Sequence, residues 1–157
     1  MKRGMKILTA ALVVLFAAGC GGDDDKRIEP PPTYAYDGWK MTVWNGSSEL
    51  AGKVYLQLDS DGTFALYQSI LYPGFRSFGG TYTVATQNGV QVLSGKYSDG
   101  TPLKHSYEME SKGTLNMVLR SIEEGVESEY ERAVIPLYAK DDDPLTGRAA
   151  MDEEPFL

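Results

Sequence analysis

Residues 54–67 read VYLQLDSDGTFALY. Val54, Leu56 and Leu58 alternate with Tyr55 and Gln57; Phe64 and Leu66 alternate with Ala65 and Tyr67. Apolar residues at period two mark a strand with one buried face and one wet face. Between the two runs stands Asp61-Gly62, and glycine reaches the left-handed backbone conformations that a tight hairpin requires. The stretch therefore predicts two short antiparallel strands joined by a turn.

The same unit recurs on both sides. Upstream, Trp39, Met41 and Val43 alternate with Lys40, Thr42 and Trp44. Downstream come Tyr82/Val84, Val90/Val92, Leu103/His105/Tyr107/Met109, Leu115/Met117/Leu119 and Tyr130/Arg132/Val134, each set alternating with its neighbours. Seven glycine turns separate the eight runs: Asn45-Gly46, Asp61-Gly62, Pro73-Gly74, Asn88-Gly89, Asp99-Gly100, Lys112-Gly113 and Glu124-Gly125. No segment of 37–140 has helical spacing. The expected fold is all-β, an eight-stranded antiparallel up-and-down meander closed into a barrel, with a β-sandwich as the alternative. Short turns favour the barrel, because a sandwich needs longer crossing connections.

The chain has 157 residues, 42% of them hydrophobic, and a net charge of −7. That is room for one domain with a core. An acidic balance without a basic stripe argues against nucleic acid. One Cys and one His leave no disulfide framework and no multi-His or multi-Cys metal site.

The N-terminus reads as an address. Lys2, Arg3 and Lys6 precede an apolar run at 7–18, shorter than the roughly 20 residues a spanning helix needs and suited to a secretory signal. Ala17-Ala18-Gly19-Cys20 resembles the lipobox of bacterial lipoproteins. The resemblance implies cleavage before Cys20 and a diacylglycerol on its sulfur. The acidic run that follows, GGDDD at 21–25, resembles the export signal of certain surface lipoproteins. It implies an outer-membrane protein displayed on the cell surface, the periplasmic face being the alternative. The expected organisation is a signal peptide at 1–19, a lipidated Cys20 with an acidic, Pro-rich tether at 20–36, a barrel at 37–140 and an acidic disordered tail at 141–157. Residues 1–19 carry three basic and no acidic residues, so the remainder holds 12 basic and 22 acidic residues.

Gly38-Trp39, then Leu56-x-Leu58-x-x-Asp61-Gly62-Thr63-Phe64, Gly80-x-Tyr82-x-Val84 and finally Arg132 together resemble the bacterial lipocalin-like lipoproteins. The resemblance implies a barrel closed by Arg132 packed over Trp39, a structural pair; eight strands are also about enough to hold one small ligand inside the barrel.

For that ligand, Trp39, Phe64, Tyr82 and Tyr107 are expected to line the interior. The longest connection is expected at 68–80 and carries Tyr72, Phe75 and Arg76 to the mouth. His105, on an apolar side between Leu103 and Tyr107, is a core residue or a ligand contact. Trp44, Tyr55 and Tyr67 fall on the outer parity and offer a partner-protein patch. Asp59 and Asp61 lack the further ligands of a calcium loop, and Glu123, Glu124, Glu127, Glu129 and Glu131 read as a solvated face. No catalytic motif, metal site or cofactor fingerprint occurs. The expected function is a lipid-anchored binding protein, not an enzyme, that holds a small apolar or amphipathic ligand. One alternative is a protein-interaction or inhibitor module of a surface complex with a filled barrel; a second is an enzyme of unknown type. The expected partners are the membrane, through the N-terminal lipid, and a small molecule or a surface protein complex.

Overall fold

A computed structural model describes residues 35–71, 73–141 and 153–157. Eight strands form one closed antiparallel barrel in chain order: β1 (Gly38–Trp44), β2 (Val54–Leu58), β3 (Thr63–Gln68), β4 (Arg76–Gln87), β5 (Val90–Tyr97), β6 (Tyr107–Lys112), β7 (Asn116–Ser121) and β8 (Glu127–Ala133). β1 closes on β8, so the sandwich is excluded. The signal peptide, Cys20, the tether up to residue 34, Tyr72 and residues 142–152 lie outside the described residues.

The turns are built as their residues require. Asn88 and Gly89, between β4 and β5, have φ of 50° and 84°, the doubly left-handed geometry of a two-residue hairpin. The barrel axis runs between two ends. The connections after β1, β3, β5 and β7 form the upper mouth; those after β2, β4 and β6 form the lower end.

Period two decides what lies inside. Met41, Val54, Leu56, Phe64, Leu66, Leu93, Tyr97, Tyr107, Met117, Leu119 and Tyr130 form one continuous buried cluster. The barrel is therefore filled through its middle. At the lower end Trp39 pairs with Arg132 in the β1–β8 ladder, and the guanidinium carbon lies 4.1 Å from the Trp39 ring centre. Such a stack contributes about 0.5–2 kcal/mol, according to its desolvation.

Several expectations are corrected. The register shifts between Met41 and Val43, leaving Trp44 opposite Ser128. This bulge inserts one residue and reverses parity, so Trp44 belongs to the mouth rather than to the outer face. Leu93, not Val92, joins the interior cluster. β4 begins at Arg76, which pairs with Gln68, so the connection is 69–75. The longest connections are instead 45–53 and 98–106, and Leu103 and His105 stand in the second of them, ahead of β6.

One short helix, α1 (Leu137–Lys140), departs from the all-strand expectation for 37–140. The segment leaving β8 folds back over the outside of the barrel. Ile135 and Ala139 bury against Tyr55, with Tyr67 and Phe75 alongside. Tyr55 is only 6% exposed, so within the Tyr55–Tyr67 cross-strand pair Tyr55 is covered rather than offered on the outer face, and Tyr67 is half-buried.

Asp37 ties this segment down. Its carboxylate accepts from the Ile135 N–H at 2.7 Å and from Lys140 Nζ at 2.6 Å. Burial pushes the carboxyl up, but the bonds from Lys140 and Ile135 and the Lys140 charge outweigh it and hold it below its ordinary value. A depressed carboxyl contributes stability above the unfolded pKa, and that contribution is lost as pH falls through the folded one. Exchange of the Ile135 amide, corrected for its intrinsic rate, is expected to accelerate below about pH 4. Asp37→Asn, which keeps the acceptor, should remove that dependence.

Candidate functional site

The upper mouth is where the apolar interior meets polar side chains. β3 places Gln68 on the same inner parity as Phe64 and Leu66, and it is fully buried. The bulge in β1 turns Trp44 toward the same space. From the opposite wall come His105 and Tyr107, with Ser121 and Ser128 at the ends of β7 and β8.

Residues 153–157, Glu-Glu-Pro-Phe-Leu, occupy this mouth. Leu157 is 2% exposed and belongs to the interior cluster. Its carbonyl oxygen accepts from the Tyr97 hydroxyl. Gln68 Nε2 donates to Glu153 Oε1 at 2.9 Å and to the Glu154 carbonyl at 2.8 Å. Gln68 Oε1 accepts from the Phe156 N–H at 2.7 Å. Glu153 Oε1 also accepts from the Ile70 N–H at 3.3 Å. The Phe156 ring meets Trp44 edge-on, with centres 6.1 Å apart. The expectation of a disordered tail at 141–157 thus does not describe its last five residues.

The segment does not fill the mouth. On one side remains a cleft of about 410 Å³ between Trp44, Gln68, His105, Tyr107 and Phe156. On the other lies one of about 570 Å³ between Phe78, Tyr97, Pro102, Lys104 and Leu157. Lys104, Glu154 and Pro155 border both.

His105 stands between two carboxylates, Nδ1 3.4 Å from Glu123 Oε2 and Nε2 3.5 Å from Glu124 Oε2. Glu123 accepts from the Ser106 N–H, and His105 Nδ1 has no hydrogen-bond partner among the described residues. Arg76 is 8% exposed, and its Nε likewise has no partner among them. Among the described residues no group of three or more His, Cys, Asp or Glu side chains could hold a metal.

The residues expected to act together divide between two ends and the outside. Arg76, His105 and Tyr107 are at the mouth. Trp39, Phe64 and Tyr82 line the lower half, where the Tyr82 hydroxyl donates to the Asp59 carbonyl at 2.8 Å. Phe75 turns outward, its ring 5.7 Å from Tyr55 and 5.9 Å from Tyr138, so it is not a mouth residue. Of the residues that hold 153–157, Trp44 is expected on the outer face, and Gln68, Ile70 and Tyr97 are not singled out in the sequence. Gln68 is recoverable by continuing the period of Phe64 and Leu66 one step further. The apolar Pro155-Phe156-Leu157 end of an acidic tail was a second signal.

Burial raises the phenols of Tyr97, Tyr107 and Tyr130 above their ordinary value. Burial and the neighbouring Tyr138 push Tyr55 up to about 12. The folded state favours the neutral phenol, so this stabilisation is complete below about pH 10 and is lost as pH rises above it. Phenolate absorbance of the folded chain is expected to level off short of the unfolded chain's value, then to rise when alkali unfolds the barrel. Full titration of every tyrosine near pH 10 without loss of far-ultraviolet dichroism would refute the packing.

Compared with protein-family models, with curated proteins and with solved structures, the chain matches none of them.

Proposed function

We propose that the chain is a binding protein of the bacterial cell envelope, built on the lipocalin plan, whose ligand site is the upper mouth rather than the middle of the barrel. The ligand is amphipathic, with an apolar part on the Tyr97–Tyr107 floor and a polar part at Gln68, Lys104 and His105. The supporting observation is that clefts of about 410 and 570 Å³ flank residues 153–157, within the roughly 300–1,000 Å³ usual for ligand pockets. Binding is by capture: a preformed apolar floor excludes water while a few polar groups fix orientation. The chain carries no catalytic chemistry in this reading.

Cys20, lipidated after removal of 1–19, anchors the barrel to the outer membrane. The tether and the acidic run at 21–25 place it on the cell surface. Two acyl signals hold firmly where one short chain does not. The filled middle of the barrel favours a second reading, a protein-interaction or inhibitor module of a surface complex.

Native mass spectrometry of the purified full chain tests the first reading. A bound small molecule, lost in a Tyr107→Ala variant that remains folded, is the expected result. A chain that carries nothing and retains no amphipathic probe would overturn it. For the anchor, Cys20→Ala should move the protein from the membrane to the soluble fraction; continued membrane fractionation would refute lipidation.

A further inference from the structure

Gln68 is buried to 0% exposure, yet its amide serves no strand of the barrel wall. All three of its hydrogen bonds among the described residues run to 153–157. Two of them read backbone: Nε2 donates to the Glu154 carbonyl, and Oε1 accepts from the Phe156 N–H. A side-chain amide that pairs with a carbonyl and an N–H two residues apart acts as a strand partner for an extended peptide. The residue between them is Pro155, which has no N–H to satisfy.

Side-chain recognition surrounds this backbone contact. Gln68 Nε2 and the Ile70 N–H meet the Glu153 carboxylate. The Trp44 edge meets Phe156, and Leu157 enters the apolar interior below the Tyr97 hydroxyl. These groups come from β1, β3, the connection after β3 and β5, so the arrangement belongs to the barrel and not to the segment.

We propose that the mouth is a recognition site for an extended peptide of the pattern acidic–x–Pro–aromatic–aliphatic, and that residues 153–157 hold this site in cis. The inference rests on the reading of the mouth as the ligand site and adds a peptide that takes the place of residues 153–157, between the two flanking clefts. A partner peptide of this pattern must displace the chain's own segment. Eleven residues separate it from Asp141, so its meeting with the mouth is intramolecular and independent of protein concentration. The cis segment therefore sets a threshold that a partner must exceed.

The test uses the full chain and a synthetic peptide of residues 149–157, AAMDEEPFL. Leu157→Asp places a charge in the apolar interior and frees the mouth. That variant is expected to bind the peptide saturably, at least about tenfold more tightly than the unaltered chain does. Adding Gln68→Ala should weaken binding by about tenfold or more, since buried partners are left unpaired. If the Leu157→Asp chain takes up an anilinonaphthalene sulfonate probe at the mouth but not the peptide, the peptide inference fails and the reading of the mouth stands. If it binds neither, both fail. Should that variant not fold, amide exchange of the unaltered chain decides. Exchange of Phe156 by local opening, ahead of Leu56 and Leu66, supports a displaceable segment; exchange only on global unfolding overturns it.

Discussion

Gly80→Ala is expected to lower the free energy of unfolding by about 3 kcal/mol, although it adds a single methyl group. Gly80 faces inward on β4, opposite Phe64 of β3 and Tyr97 of β5. A Cβ built there runs into the Lys96 carbonyl oxygen and comes within 2.6 Å of Phe64 Cε1 and 2.9 Å of Cζ. The carbonyl is fixed by the barrel wall, and the Phe64 ring is held edge-on against Tyr97 with centres 5.6 Å apart. The carbonyl cannot retreat without opening the β4–β5 pairing, nor the ring without disturbing its contact with Tyr97. Gly95 sits diagonally across the same ladder, and its Cβ would come within 3.1 Å of the Tyr82 Cα. Two inward glycines on neighbouring strands let the sheet coil tightly enough to close. Urea denaturation measures the effect as a lowered midpoint with an unchanged slope. Gly89→Ala is the control. Nothing lies within 4 Å of its Cβ, so only the cost of its left-handed backbone remains, about 1 kcal/mol.

Leu66→Ala is expected to cost about 2–5 kcal/mol. Leu66 is fully buried in the interior cluster, pairs with Leu56 on one side and Phe78 on the other, and lies midway between the two ends. No solvent can enter to fill the void, and the closed wall limits collapse around it. Leu71→Ala, at a position 66% exposed, should lie within about 0.5 kcal/mol of the unaltered chain. Equal losses from the two changes would contradict a filled barrel.

How far the sequence could be read follows from the range of each signal. Strand alternation and Asn-Gly or Asp-Gly turns are local, so the eight strands and their order were legible, and closure followed from their number. The Arg132–Trp39 contact joins residues far apart in sequence, and only the family resemblance brought it into view. Trp44 was misplaced because a bulge changes parity without changing composition. The start of β4 was missed because Arg76, Phe78 and two glycines do not look like a strand, although Gly79 and Gly80 are there for packing. The tail was read from its charge. What positions Phe156 and Leu157 is the buried Gln68 amide on β3, the Trp44 ring and the Tyr97 hydroxyl, long-range contacts that no local pattern carries. Tyr55 and Tyr67 were assigned to the correct face, but the cover laid over them by Ile135 and Ala139 lay beyond the last periodic strand.

Residues 153–157 occupy the mouth through Gln68. Nuclear Overhauser contacts from the Gln68 side-chain amide in the full chain test this most directly. Cross-peaks to Glu154 and Phe156, and from Tyr97 to Leu157, are the predicted result. Random-coil shifts for 153–157, with the Gln68 amide in contact only with water, would contradict it.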